Sequence, residues 1–135
     1  MALHLSSNDQ KQLLHWAADA GQNECCGVLR GTDGKVIAVQ WAANVAADPS
    51  RNFEIDPAAL IAVHKDDRTG GVPLLGYFHS HPNGLARPSA SDIAQAAPDG
   101  LIWLIIAGGA VTAWQPIAIG AHVTGFTPVP LIVEG

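Results

Sequence analysis

Charge is scarce in this sequence. Lys, Arg, Asp and Glu together make up 14% of its 135 residues, and the seven basic ones are scattered rather than clustered. With a formal net charge of -5, the chain offers no basic patch to neutralise phosphates, which argues against a nucleic-acid binder or a protein held on an anionic membrane surface. Long apolar runs are also missing. The longest, Leu101 to Ala107, is far too short to span a bilayer, and Met1 to Gln10 lack the basic start and apolar run of an export signal. Cysteine is confined to the neighbouring pair Cys25-Cys26. Adjacent residues in a strand point to opposite faces, so the pair reads as reduced thiols in a cytoplasmic protein rather than as a disulfide. Repeats and low-complexity blocks are absent, and glutamate occurs only at positions 24, 54 and 134.

What the chain does have is apolar residues, 48% of the total, enough for one buried core without staples, and a single domain over residues 1–135 is expected. Ser6 to Asp9 offer N-caps for a first helix, with Leu13, Leu14, Trp16, Ala17 and Ala20 at helical spacing before Gly21. Glu24 to Arg30 and Lys35 to Trp41 flank the turn-rich Gly31 to Gly34 and read as a hairpin. Residues 47–52 are a loop by composition, Phe53-Glu54-Ile55 a short strand, and Asp56 caps a helix that opens on Pro57 and carries Leu60, Ile61 and His64 along one side. Val72 to Phe78 form an apolar strand, Ser89 to Ala97 a short helix, and Leu101 to Ala107 a central strand that Gly108-Gly109 turns into Ala110 to Ile117. Pro128 and Pro130 confine residues 121–133 to an edge strand or a wrapping tail.

Against this apolar background one polar set stands out. His79 and His81 end the strand that begins at Val72, and residues two apart on a strand face one side, so both imidazoles can meet one point while Ser80 turns away. Pro82 stops the strand, and the loop from Asn83 to Pro88 lets Asp92 on the next helix supply a third, anionic ligand. Two imidazoles and a carboxylate suit zinc with one position left for water, whose pKa then falls to about 7. Such a site needs a general base. Glu134 neighbours the C-terminus and is expected to be mobile, and Glu54 suits a solvent-facing strand position. Glu24, opening an apolar strand after a turn, is favoured. Ser89 and Asp92 also have the spacing of a helix-capping pair. His4, His15, His64 and His122 read as surface residues, Trp103 and Trp114 as core, and Arg51 and Arg87 as solvated loop charges.

Taken together, Glu24, His79-Ser80-His81-Pro82 and Ser89-Ala90-Ser91-Asp92 resemble the signature of the JAMM (MPN+) metallopeptidases. Glu24 to Gly31 is similar to that family's first strand, Phe53 to Pro57 to its strand-to-second-helix junction, and Leu101 to Trp114 to its following hairpin. The resemblance implies an α/β (α+β) fold, a curved mixed β-sheet flanked by helices with JAB1/MPN-like, cytidine-deaminase-like layering. It also implies one Zn2+ per chain held by His79, His81 and Asp92, with Glu24 as general base and Ser89 as donor to the oxyanion. The implied reaction is hydrolysis of a peptide or isopeptide bond after the C-terminal Gly-Gly of a ubiquitin-like or sulfur-carrier protein, and the length resembles the minimal prokaryotic branch. A scaffold that holds such a modifier around a structural zinc is the alternative. A zinc deaminase is disfavoured, because its His-x-Glu and Pro-Cys-x-x-Cys set is absent.

Overall fold

A computed structural model describes all residues from Met1 to Gly135. Its elements are β1 (Leu3–Ser6), α1 (Ser7–Ala20), β2 (Cys26–Thr32), β3 (Lys35–Ala42), α2 (Pro57–Arg68), β4 (Leu74–Ser80), α3 (Ala90–Gln95), β5 (Ile102–Ala107), β6 (Ala110–Ile119), β7 (His122–Val129) and β8 (Leu131–Glu134). All eight strands join one mixed sheet in the order β7-β6-β5-β4-β2-β3-β1-β8, with β4 parallel to β5, β1 parallel to both of its neighbours β3 and β8, and the other pairs antiparallel. The two edge strands, β7 and β8, are separated in the chain by Pro130 alone. One residue can link opposite edges only if the sheet curls until they approach, and the Pro130 carbonyl accepts the Leu3 N–H at 2.8 Å.

Local chemistry accounts for most boundaries. The Ser6 hydroxyl accepts the Asp9 N–H at 3.0 Å and caps α1, which ends at Gly21 with φ of 62°. The β2–β3 turn is Asp33-Gly34, both at positive φ, the pairing that matches strand twist in a two-residue hairpin; Gly31 and Thr32 lie inside β2. Asp56 caps α2 by accepting the Ala58 N–H at 3.0 Å, with Pro57 in the first turn.

Period-two alternation sends the central strands to two cores. Leu29, Phe78, Leu104 and Ile106 pack with Leu13 of α1 and with Leu3 and Leu5. On the other face Cys26, Val28 and Trp103 pack with Phe53, Ile55 and Val63 of α2. β5 is buried at all six positions, as a strand covered on both faces requires. Gly27 is needed for this packing, since a Cβ there would lie 2.1 Å from the Gln40 carbonyl oxygen and 2.4 Å from the Phe78 ring.

Several expectations are corrected. β1 has only two buried apolar residues, Leu3 and Leu5, and its parallel partner comes from the far end of the chain, so no local pattern announces it. Phe53-Glu54-Ile55 is not a strand. It makes a single bridge, Asn44 to Ile55, because the Glu54 N–H goes to the Asn44 side chain and Pro57 has no N–H to extend a ladder. α2 buries Val63 with Leu60 and Ala59 beside it, while Ile61 is 67% exposed; His64 faces solvent, as expected. α3 is shorter than residues 89–97 and β4 begins after Pro73. The segment 121–133 is both an edge strand and a tail that crosses to the opposite edge. Glu134, at the end of β8, pairs with Ser6 in the sheet and its carboxylate contacts His4 Nδ1. No helix is long and apolar enough to cross a membrane.

Candidate metal centre

His79 is the last-but-one residue of β4, held between Cys26 of β2 and Ile105 of β5. Alternation puts its ring on the α2 side of the sheet, where it is fully buried and stacked on Phe53 at 4.3 Å between centroids. His81 lies just beyond the strand, and its N–H continues the ladder to the Ile106 carbonyl at 2.9 Å. The two Nε2 atoms are 3.0 Å apart. Asp92 completes the group from α3: Oδ1 is 3.1 Å from His79 Nε2 and Oδ2 is 3.1 Å from His81 Nε2.

These separations fit a metal ion. Ligands about 2.0–2.1 Å from a tetrahedral zinc lie roughly 3.3 Å from one another, close to what the three residues present. The donor chemistry agrees. His81 Nδ1 is 2.8 Å from the Leu85 carbonyl, which can only accept, so that nitrogen carries a proton. In the neutral ring Nε2 then shows a lone pair to the lone pairs of Asp92 Oδ2. Two acceptors at 3.1 Å call for positive charge between them, supplied by a metal ion or by a second proton on the ring.

Glu24 sits beside this group, with one carboxylate oxygen within 4.8 Å of both histidine ligand nitrogens. It is 5% exposed, and Oε1 meets no protein donor. Burial is the main reason its pKa is pushed up to about 7; Asp92 adds to the rise and His81 opposes it. A carboxyl poised near neutrality suits proton transfer. Burial lowers the His79 pKa despite Asp92. At His81 burial acts downward too, but Asp92, the Leu85 carbonyl and Glu24 outweigh it and raise the pKa. Burial resists ionisation of Asp92, yet the two imidazoles and the Ser89 N–H hold its carboxyl far below the usual range.

Ser89 N-caps α3 in a reciprocal box: its Oγ accepts the Asp92 N–H at 3.1 Å, and its N–H donates to Asp92 Oδ2 at 2.9 Å. The same capping pair therefore orients the Asp92 carboxylate toward the two imidazoles. Ser89 also lines a cavity of about 290 Å³ with Glu24, Ser50, Arg51, His81, Pro82 and Asn83. Ser80, expected to turn away, does so but has a further part. Its Oγ accepts the Cys25 N–H at 2.8 Å while its N–H donates to the Cys25 carbonyl at 3.0 Å, fastening the residue after Glu24 to the histidine strand. Cys25 and Cys26 are free and buried, and burial raises both thiols, Cys26 to about 12. Trp103 is core, and Trp114 is half-buried with its indole N–H on Thr112. Of the loop arginines, Arg51 borders the cavity and Arg87 does not. Asn44, which the sequence did not single out, accepts the N–H groups of Ala46 and Glu54 and donates to the carbonyls of Glu24 and Asn52.

Comparison with known proteins agrees with this geometry. A family profile described as prokaryotic homologs of the JAB domain matches residues 6–117. A desampylase of Haloferax volcanii is 36% identical over 84 residues, 61% of this chain and 60% of that protein. A probable TtuB-protein conjugate cleaving protease of Thermus thermophilus is 42% identical over 53 residues, 39% of this chain and 36% of the relative. The chain thus spans at most about 60% of the length of these curated relatives. Among solved structures, protein DSY2949 of Desulfitobacterium hafniense superposes with a TM-score of 0.80 at 29% identity, covering 98% of this chain and 92% of that one.

Proposed function

Because the chain belongs to the family of prokaryotic JAB-domain homologs, we propose that it is a zinc-dependent peptidase that cuts a peptide or isopeptide bond joining the tail of a ubiquitin-like or sulfur-carrier protein to an amine. The observation that carries this reading is the convergence of His79, His81 and Asp92 within 3.1 Å, with the Glu24 carboxyl alongside. The three convergent residues would hold the zinc. When bound, it supplies Lewis acidity, polarising a carbonyl and acidifying water.

The rest of the work falls to the chain itself. Glu24, raised to about 7 by burial, takes a proton from water in the cleft and returns it to the leaving amine. The Ser89 hydroxyl spends a lone pair on the Asp92 N–H, so its own O–H remains to donate to the carbonyl oxygen as negative charge develops there. Leu85 holds the His81 ring and Phe53 covers His79, which keeps both imidazoles aimed while excluding water from one side. The cavity beside Glu24 is bordered by Ser50, Arg51, Pro82, Asn83 and Ser89. On this side of Glu24 polar groups face a backbone, which suits a tail ending in Gly-Gly, while on its other side Glu24 lines a larger cavity with Trp16, Ala20 and Trp41. The names of the Haloferax volcanii and Thermus thermophilus relatives support that substrate class. The free, buried cysteines support a reducing, cytoplasmic setting.

The test is to load the protein with zinc and incubate it with carrier conjugates joined through their C-terminal glycine to a lysine, reading the products by mass spectrometry. The wild type releases carrier and amine. Glu24→Gln keeps one equivalent of zinc and loses about 10²–10⁴-fold in kcat; a fully active Glu24→Gln protein would remove the assignment.

A further inference from the structure

Glu24 lies outside the sheet, since β2 begins at Cys26, and other segments hold its backbone. Its N–H donates to the Pro49 carbonyl at 2.7 Å and its carbonyl accepts from Asn44 Nδ2 at 2.9 Å. Asn44 is where the connections meet. Nδ2 also donates to the Asn52 carbonyl at 3.0 Å, and Oδ1 accepts the N–H groups of Ala46 at 3.0 Å and Glu54 at 3.1 Å. A side-chain amide has two donor hydrogens and two acceptor sites, so every one is used.

From Asn52 the connections continue to α3. Ser91 Oγ donates to Asn52 Oδ1 at 2.5 Å, and Gln95 Nε2 donates to the Phe53 carbonyl at 2.6 Å. Phe53 itself is the residue stacked on His79. Residues 44–53 therefore touch the segment carrying Glu24, the ring of His79 and the helix carrying Asp92. The bonds of Asn44 to Ala46, Glu54 and Asn52 shape the local loop. The Nδ2 bond to Glu24 reaches across 20 residues of sequence and adds nothing to that loop.

We propose that Asn44 is a positioning residue, which acts through the backbone of Glu24 to set its carboxylate against the metal ligands, with residues 44–53 as a brace between Glu24 and α3. This rests on the peptidase reading above. Asn44→Asp tests this, because it keeps the acceptor for Ala46 and Glu54 but replaces the donor shared by the Glu24 and Asn52 carbonyls with an oxygen that repels both.

In zinc-loaded Asn44→Asp protein, one equivalent of zinc and KM are retained while kcat falls roughly 10–100-fold, the scale of a small misplacement of a catalytic group. In a Glu24→Gln background the same substitution adds no further loss. Metal-free Asn44→Asp protein exchanges the Glu24 amide hydrogen about tenfold faster than wild type, whereas the Phe78 and His79 amides are unchanged. Ser91→Ala, which cuts the brace at its far end, gives the same pattern more weakly and serves if Asn44→Asp does not fold. The exchange measurement needs no substrate, so it decides the role of Asn44 even if no conjugate is cleaved. Unchanged exchange at Glu24, or a loss that falls on KM or zinc binding instead of kcat, overturns the proposal.

Discussion

The two histidines and the two carboxylates of the site are held by different means. His79 sits within a ladder paired on both sides, and His81 extends that ladder by one bond. Glu24 precedes β2, and Asp92 rides on a six-residue helix too short to be stable alone. Main-chain geometry therefore sets the imidazole pair, and any sequence that forms β4 in this register presents it. The carboxylates depend instead on individual side chains: Asn44, Ser80, Ser89, Ser91 and Gln95 each supply a bond that one substitution removes. The site is robust where it rests on strands and brittle where it rests on side-chain bonds.

The sharpest way to break this contrast is from the strand side. His79→Ala should leave the sheet paired but abolish stoichiometric zinc binding and reduce hydrolysis to background, as read by metal analysis and the conjugate assay. Retained zinc in that variant would mean that the carboxylates hold the ion without the strand. On the other side, Ser80→Ala should cost about 1–3 kcal/mol in urea unfolding, because the Cys25 N–H is then buried without its partner. Ser80→Thr, which keeps a hydroxyl, should recover most of it.

A smaller effect concerns pH. The Glu24 carboxyl has a pKa near 7 in the folded chain, against 4.5 for its ordinary value. Between these limits the unfolded chain has released a proton that the folded chain retains, so wild-type stability falls as pH rises through that window. Metal-free Glu24→Gln lacks this slope and should be the more stable protein at pH 7.5, by on the order of 1 kcal/mol. Equal pH dependence of the two proteins in denaturant titrations would contradict the burial of the carboxylate. The smallest signal is at the cysteines. Both thiols are buried and raised, so they should react with a thiol reagent only on the timescale of opening, and at full speed in denaturant.

The same contrast explains what could be read in advance. His79-x-His81 was legible because period-two alternation is a property of any strand, and Asp92 because a capping box has its own spacing. Glu24 was legible partly by scarcity, being one of three glutamates. Asn44 was not, since its four partners are main-chain groups at positions 24, 46, 52 and 54, which carry no residue-type signal. The direction of Ser80 follows from alternation, but its bond to Cys25 joins segments 55 residues apart in sequence. The buried side of α2 is not legible because Leu60 and Ile61 are adjacent and equally apolar, and only the partner surface decides which of them turns inward. Pro128 and Pro130 permit either an edge strand or a wrapping tail, and the chain uses both in succession.

The pairing of β1 with β8 also bears on how the molecule is made. The first strand of the chain takes its parallel partner from the last, Leu3 against Leu131 through Ser6 against Glu134. On the ribosome, Leu3 and Leu5 therefore emerge long before the strand that completes their edge, and they have only the single pairing of His4 with Lys35 in the interval. The hairpin, β4 and β5, which carry or flank the histidines, all leave the ribosome before β8. Closure of the sheet edge must wait until β8 itself has emerged.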